Sequence, residues 1–248
     1  MAARLLLIED DASIARFVEL ALQELPGLDP AAPAVALSVV RDLASARSAL
    51  AGGGWQLVIS DLMLPDGSAE ALLVEGLALA PGAPPWVVFS AGLHDERRAV
   101  LAERGVARLL RKPVPLAELL GAVAELLRSG VSANAPANAA AMRAAPDPVQ
   151  LHFGGDRVLY ESFRAGCIER FPDDLAQGDA AVAAGDAPAL RRVAHGLKAV
   201  LQLIGEPGLA AHARALETAA AAAPDQPLAA AWAELAAGLV GLGVRRLA

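Results

Sequence analysis

VISDLMLPDG, residues 58–67, decides how the N-terminal half of this chain folds. An apolar run enters Ser60 and Asp61, and a Leu-Met-Leu-Pro-Asp-Gly turn follows at once. A run of that kind reads as a strand buried on both faces, with its polar chemistry confined to the carboxyl end. The same grammar recurs in LLLIEDD at 5–11, VVFSAG at 87–92 and RKPV at 111–114. Strands are expected over 4–8, 35–40, 55–60, 86–90 and 106–110. Helices are expected near 12–24, 41–51, 68–80, 94–104 and 115–128. Apolar strands alternating with helices predict an α/β domain built on a doubly wound, five-stranded parallel sheet. In such a sheet ligands sit beyond the carboxyl ends of the strands.

Those ends carry the candidate chemistry. Glu9 and Asp10 follow the first strand, Asp61 the third, Ser90 ends the fourth, and Lys112-Pro113 follows the fifth. Carboxylates gathered on one rim repel one another unless a cation neutralises them, and an oxygen-only set fits Mg²⁺. A lysine and a hydroxyl beside them suit a phosphoryl group, supplying a point charge and a hydrogen-bond donor. An aspartate there can itself be a nucleophile and form an acyl phosphate. Asp11 is expected to cap the first helix, and Asp66-Gly67 to make a turn.

The four segments, in this order and at strand ends, resemble the receiver domain of two-component response regulators, a flavodoxin-like fold. The resemblance covers nearly all of 1–128. It implies Asp61 as phosphoacceptor and Glu9 with Asp10 as the acidic pair for Mg²⁺. It also implies the Met63 backbone carbonyl as a further metal ligand, Ser90 as the switch hydroxyl and Lys112 as the phosphate and carboxylate partner. A cis bond before Pro113 is expected on the same ground. The sequence departs from the family at Leu109, where an aromatic switch residue is usual.

Residues 129–148 (SGVSANAPANAAAMRAAPDP) have linker composition and separate a receiver domain at 1–128 from a second domain at 149–248. Basic and acidic residues number 11 and 16 before that stretch, and 10 and 12 from it onward. The second half shows helical patterns near 156–171, 173–184, 187–204, 207–222 and 227–246. Breaks are expected at Pro172, Gly185-Asp186, 205–208 and 224–227, giving an all-α antiparallel helical bundle.

On a wheel of 187–204, Leu190, Val193, Leu197, Val200, Leu201 and Ile204 form one stripe. His195 lies opposite, with Arg191, Lys198, Ala199 and Gln202, so an exposed histidine is expected. Nearby cations would favour neutral imidazole and stabilise an attached phosphoryl group. AHGLKAVLQLIG at 194–205 resembles the histidine phosphotransfer (HPt) domain in His195, Leu197, Lys198, the small Ala199 and Gly205. The ALE at 215–217 fits its next helix. This resemblance implies that His195 carries a phosphoryl group, with Lys198 assisting. His94, His152 and His212 read as surface or packing residues, and Cys167 as a buried small hydrophobe.

Composition excludes several classes. The chain has 248 residues, formal net charge −7 and 4% aromatics, which argues against a nucleic-acid surface. Mean hydropathy is +0.43, but alanine supplies much of it. The longest uncharged window, 76–94, is broken by prolines, so no membrane span is expected. The short N-terminal apolar run predicts no signal peptide, and the single cysteine excludes an intrachain disulfide framework. No ATP-binding P-loop appears. Together these readings predict a cytoplasmic phosphorelay protein that is not a conventional enzyme. It would exchange phosphoryl groups with a sensor or hybrid histidine kinase and with other receiver or HPt proteins. The alternative is a binding protein switched by Asp61 phosphorylation, with the helical half an association module and His195 incidental.

Overall fold

The computed structural model of the protein describes residues 2–30, 32–90, 95–129, 147–222 and 228–244. The chain divides into two units, Met1–Pro146 and Asp147–Ala248. In the first, strands β1 (Ala3–Ile8), β2 (Val35–Val40), β3 (Leu57–Asp61), β4 (Trp86–Ser90) and β5 (Val106–Arg111) alternate with five helices. These are α1 (Ala12–Leu28), α2 (Leu43–Gly52), α3 (Glu70–Val74), α4 (Asp95–Glu103) and α5 (Leu116–Ser129). All four strand pairings are parallel, in the order β2-β1-β3-β4-β5. The reversal beside β1 is the switch point of a flavodoxin-like sheet, and it opens a crevice above β1 and β3.

Burial explains why these runs are strands. Leu5 to Ile8 and Leu57 to Ile59 are fully buried, as strands covered on both faces must be. Leu6, Ile8, Val58, Trp86 and Val88 pack with Leu43, Ala46, Leu72, Leu73 and Leu101 of α2, α3 and α4. Successive strand side chains alternate faces, so Leu5, Leu7, Ile59 and Phe89 turn to the opposite side, where α1 packs against α5. The register aligns Leu7 with Ile59 and Ile8 with Ser60, which brings the ends of β1 and β3 level.

Aspartates start the helices. Asp11, Asp42, Asp147, Asp156 and Asp186 each accept from a backbone N–H of the following first turn. The expected turn at Asp66 proves to join two elements. A small hairpin pairs Met63–Leu64 with Gly67–Ser68, and the Asp66 carboxylate accepts from Leu43 N at 2.9 Å, at the start of α2. The helix expected over 68–80 is shorter. α3 ends at Val74 because Gly76 takes φ 79°, and turns lead on to β4.

The second unit holds α6 (Pro148–Phe153), α7 (Arg157–Ala184), α8 (Ala187–Leu203), α9 (Pro207–Ala222) and α10 (Leu228–Gly241). α7 packs on α8, α8 on α9, α9 on α10 and α10 on α7, closing a four-helix ring. Two expectations fail here. Pro172 does not divide α7, which runs unbroken through it. Phe163, Cys167, Phe171, Leu175 and Ala181 hold one face buried across that point, and their burial outweighs the roughly 3 kcal/mol an interior proline costs. The other is α6, which opens at Pro148 inside the stretch read as linker. Residues 130–146, His94 and the break at 224–227 lie outside the described residues.

The buried faces of α6 carry a titratable group. His152 is 6% exposed, its Nδ1 is buried without a hydrogen-bond partner among the described residues, and burial pushes its pKa down to about 4. The sequence reading allowed a packing role; the structure gives it a consequence. An unfolded histidine titrates near 6.5 and the folded one near 4. The unfolded chain therefore binds the extra proton first, and stability falls as pH drops through that window. Urea melts of the helical unit should lose about 2–3 kcal/mol between pH 7 and pH 4.5, and His152→Leu should remove most of that slope. An unchanged slope in the variant would rule the group out.

Candidate functional site

In the first unit the ends of β1, β3 and β5 converge. Glu9 (1% exposed) and Asp61 (2%) are buried, and Asp10 beside them is half-buried. Ligand-competent oxygens of Glu9, Asp10 and Asp61 lie within 4.8 Å of one another. Lys112, past the end of β5, places Nζ 2.9 Å from Glu9 Oε2 and 2.9 Å from Asp61 Oδ2. Its peptide bond to Pro113 is cis, as expected. Asp61 Oδ1 also accepts from Leu62 N at 2.7 Å.

The electrostatics are those of a site with surplus negative charge. Burial pushes the Glu9 carboxyl up to about 8; Lys112 opposes that shift, while Asp61 and Asp11 add to it. Asp10 is raised by burial and then by Asp61 and Asp11. Lys112 loses by burial, but Asp61 and Glu9 outweigh the loss and keep it charged. One ammonium cannot neutralise three clustered carboxylates, and an all-oxygen set at this spacing fits a small divalent cation.

The remaining predicted residues fall around this cluster. Met63 lies two residues beyond Asp61, in the small hairpin. Ser90 ends β4, paired in register with Arg111, the residue before Lys112. Leu109 is partly buried and packs against the α2–α4 face of the core. Asp11 caps α1, accepting from Ser13 N at 2.7 Å and Ile14 N at 3.0 Å.

In the second unit His195 sits midway along α8, and the expectation of an exposed ring needs correcting. The side chain is 12% exposed, because α9 packs along that face. Lys198 (7%) and Ala199 (2%) are buried too. The wheel separated apolar from polar positions but could not show that α8 is covered by α7 on one side and α9 on another.

From α9 comes the residue the sequence reading passed over. Glu217 Oε1 lies 2.6 Å from His195 Nδ1, and its Oε2 accepts from Lys198 Nζ at 2.5 Å. Burial alone would raise the Glu217 carboxyl, but hydrogen bonds from His195 and then Lys198 prevail and hold it down at about 2. It is therefore an ionised partner shared by both. A signal existed: if the chain folds back at Gly205, His195 stands ten residues before the turn and Glu217 twelve after it.

Comparison with known proteins bears on both units. Residues 162–243 match the family model of the Hpt domain, so the helical unit carries an Hpt domain that spans His195 and Glu217. The N-terminal half is similar to solved receiver domains. One is the signal receiver domain of a Luxo repressor protein from Vibrio parahaemolyticus, at 24% identity and TM-score 0.45, over 52% of this chain and 92% of that one. A CheY-like receiver domain protein from Methanospirillum hungatei gives 20% identity and TM-score 0.44, over 52% and 95%. The chemotaxis response regulator CheY4 of Vibrio cholerae gives 17% and 0.44, over 51% and 99%. Comparison with curated proteins finds no match. Among the described residues no helix is long and apolar enough to cross a membrane.

Proposed function

We propose that this chain is a cytoplasmic phosphorelay protein in which Asp61 and His195 are the two phosphoryl-carrying residues. The observation that supports it most is the pairing of chemistries. One unit sets a buried aspartate against a lysine within a carboxylate cluster, and the other holds a histidine inside an Hpt domain. That match also disfavours an association module with an incidental histidine.

In this reading Asp61 Oδ2 accepts a phosphoryl group from a phosphohistidine on a kinase or Hpt partner. Lys112 balances the charge brought in, and the switch hydroxyl that the resemblance assigns to Ser90 is a further donor. Glu9, Asp10, Asp61 and the Met63 carbonyl would hold Mg²⁺, which supplies charge neutralisation for the phosphoryl oxygens when bound. In the second unit the ionised Glu217 accepts a hydrogen bond from the Nδ1–H of His195. That selects the tautomer whose Nε2 bears the lone pair, so Nε2, which is closed to solvent here, is the atom that takes and gives the phosphoryl group once it is uncovered.

The test separates the two linkages. Treated with acetyl phosphate and Mg²⁺, the protein should acquire an alkali-labile acyl phosphate that Asp61→Asn removes. Treated with phosphoramidate, it should acquire an acid-labile phosphohistidine that His195→Gln removes. Label that survives both substitutions is incompatible with the assignment.

A further inference from the structure

Of the two cations that the sequence sets beside His195, one is already engaged. Lys198 is buried and its Nζ is bound to Glu217 Oε2. Leaving that carboxylate to grip a phosphoryl group would strand a half-buried anion, which is costly.

Arg191, one turn earlier on α8, stands differently. Its side chain is partly buried, and its Nε is closed to solvent with no hydrogen-bond partner among the described residues. A buried guanidinium donor left idle costs stability and is retained where an anion completes it. Residues four apart are neighbours on a helix surface, so Arg191 stands within side-chain reach of His195. At about 100° per residue, Arg191 is only about 40° from His195 around the axis. Arg192, about 60° away on the other flank, is an internal control.

We propose that Arg191, and not Lys198, is the cation that holds the phosphoryl oxygens on His195; this rests on the phosphorelay reading above. With phosphoramidate as donor, the His195 Nε2 lone pair forms the N–P bond while the donor's P–N bond breaks. Ammonia leaves with that electron pair. The Nδ1 proton stays on the ring, facing Glu217, and the planar guanidinium fork bonds two phosphoryl oxygens.

The experiment uses the full chain carrying Asp61→Asn, so that only histidine takes label from phosphoramidate. Arg191→Gln should slow labelling about tenfold, with Arg191→Lys restoring part of the rate. Arg192→Gln should stay within about twofold of the parent. Lys198→Met should cost less than Arg191→Gln, and matching thermal melts would show that Arg191→Gln is folded. Labelling of Arg191→Gln at the parent rate, or a larger loss in Lys198→Met, overturns the assignment while leaving the phosphorelay reading intact. If the parent takes no label on His195, both fall together.

Discussion

Replacing Lys112 with methionine is expected to destabilise the α/β unit by about 3–5 kcal/mol at pH 9 in the absence of divalent cations. Lys112 is the ammonium 2.9 Å from both Glu9 and Asp61, two side chains almost wholly withdrawn from water. Without it they face each other, with Asp10 alongside. The deficit should depend on pH in a definite sense. Even beside Lys112, burial puts Glu9 near 8, above its ordinary 4.5. The folded state therefore holds that proton more tightly, and stability is lost as pH rises between those values. Denaturant melts of Lys112→Met should show a smaller deficit near pH 6 and the full one at pH 9, where Glu9 is ionised in the parent and has lost its cation in the variant. Millimolar Mg²⁺ should recover part of it at the higher pH. An equal deficit at both pH values would mean that the lysine acts through its hydrocarbon stem.

The helical unit makes an equally sharp prediction at a residue that contributes no side chain. A Cβ on Gly178 would lie 2.1–2.6 Å from three ring atoms of Trp232. That indole is 3% exposed and anchored by Nε1 donating to Asp179 Oδ1 at 2.7 Å, so it has nowhere to retreat. Gly178→Ala is expected to cost about 2–3 kcal/mol despite the gain in helix propensity, through the displacement of α10 from α7. Trp232 fluorescence should move toward that of a hydrated indole. Gly238 provides the contrast. Its added Cβ would meet Leu209 Cδ2 at 2.1 Å, but this is the end of a flexible side chain that can rotate away. Gly238→Ala should therefore cost less, and the reverse ranking would refute this account of the packing.

These two sites also mark how far the amino-acid sequence could be read. The carboxyl ends of the strands were legible because a buried parallel strand admits polar groups only where it emerges. Glu9, Asp61 and Lys112 thus announce themselves by position, and the sheet's register brings them together. The helical unit was less transparent. A wheel sorts residues by polarity, but Lys198 and Ala199 are buried by the arrival of α9, an event of tertiary packing. Glu217 was harder to see for the same reason: its partners are on another helix, and only the fold-back at Gly205 brings them level. Pro172 misled because a local cost was weighed without the long buried face that offsets it. Gly178 drew no reading from the sequence, because the ring that an added Cβ would strike belongs to a helix far along the chain.

The burial of Lys112 and Lys198 has a further consequence. They are the only lysines in the chain, one in each unit, and each is held by carboxylates. An ammonium in that state must both escape its ion pair and lose a proton before it can attack an electrophile. Acylation at either position is thus gated by local opening, and the modified residue identifies which unit opened. The sequence carries two built-in chemical reporters, one for each half of the molecule, with no lysine elsewhere to obscure them.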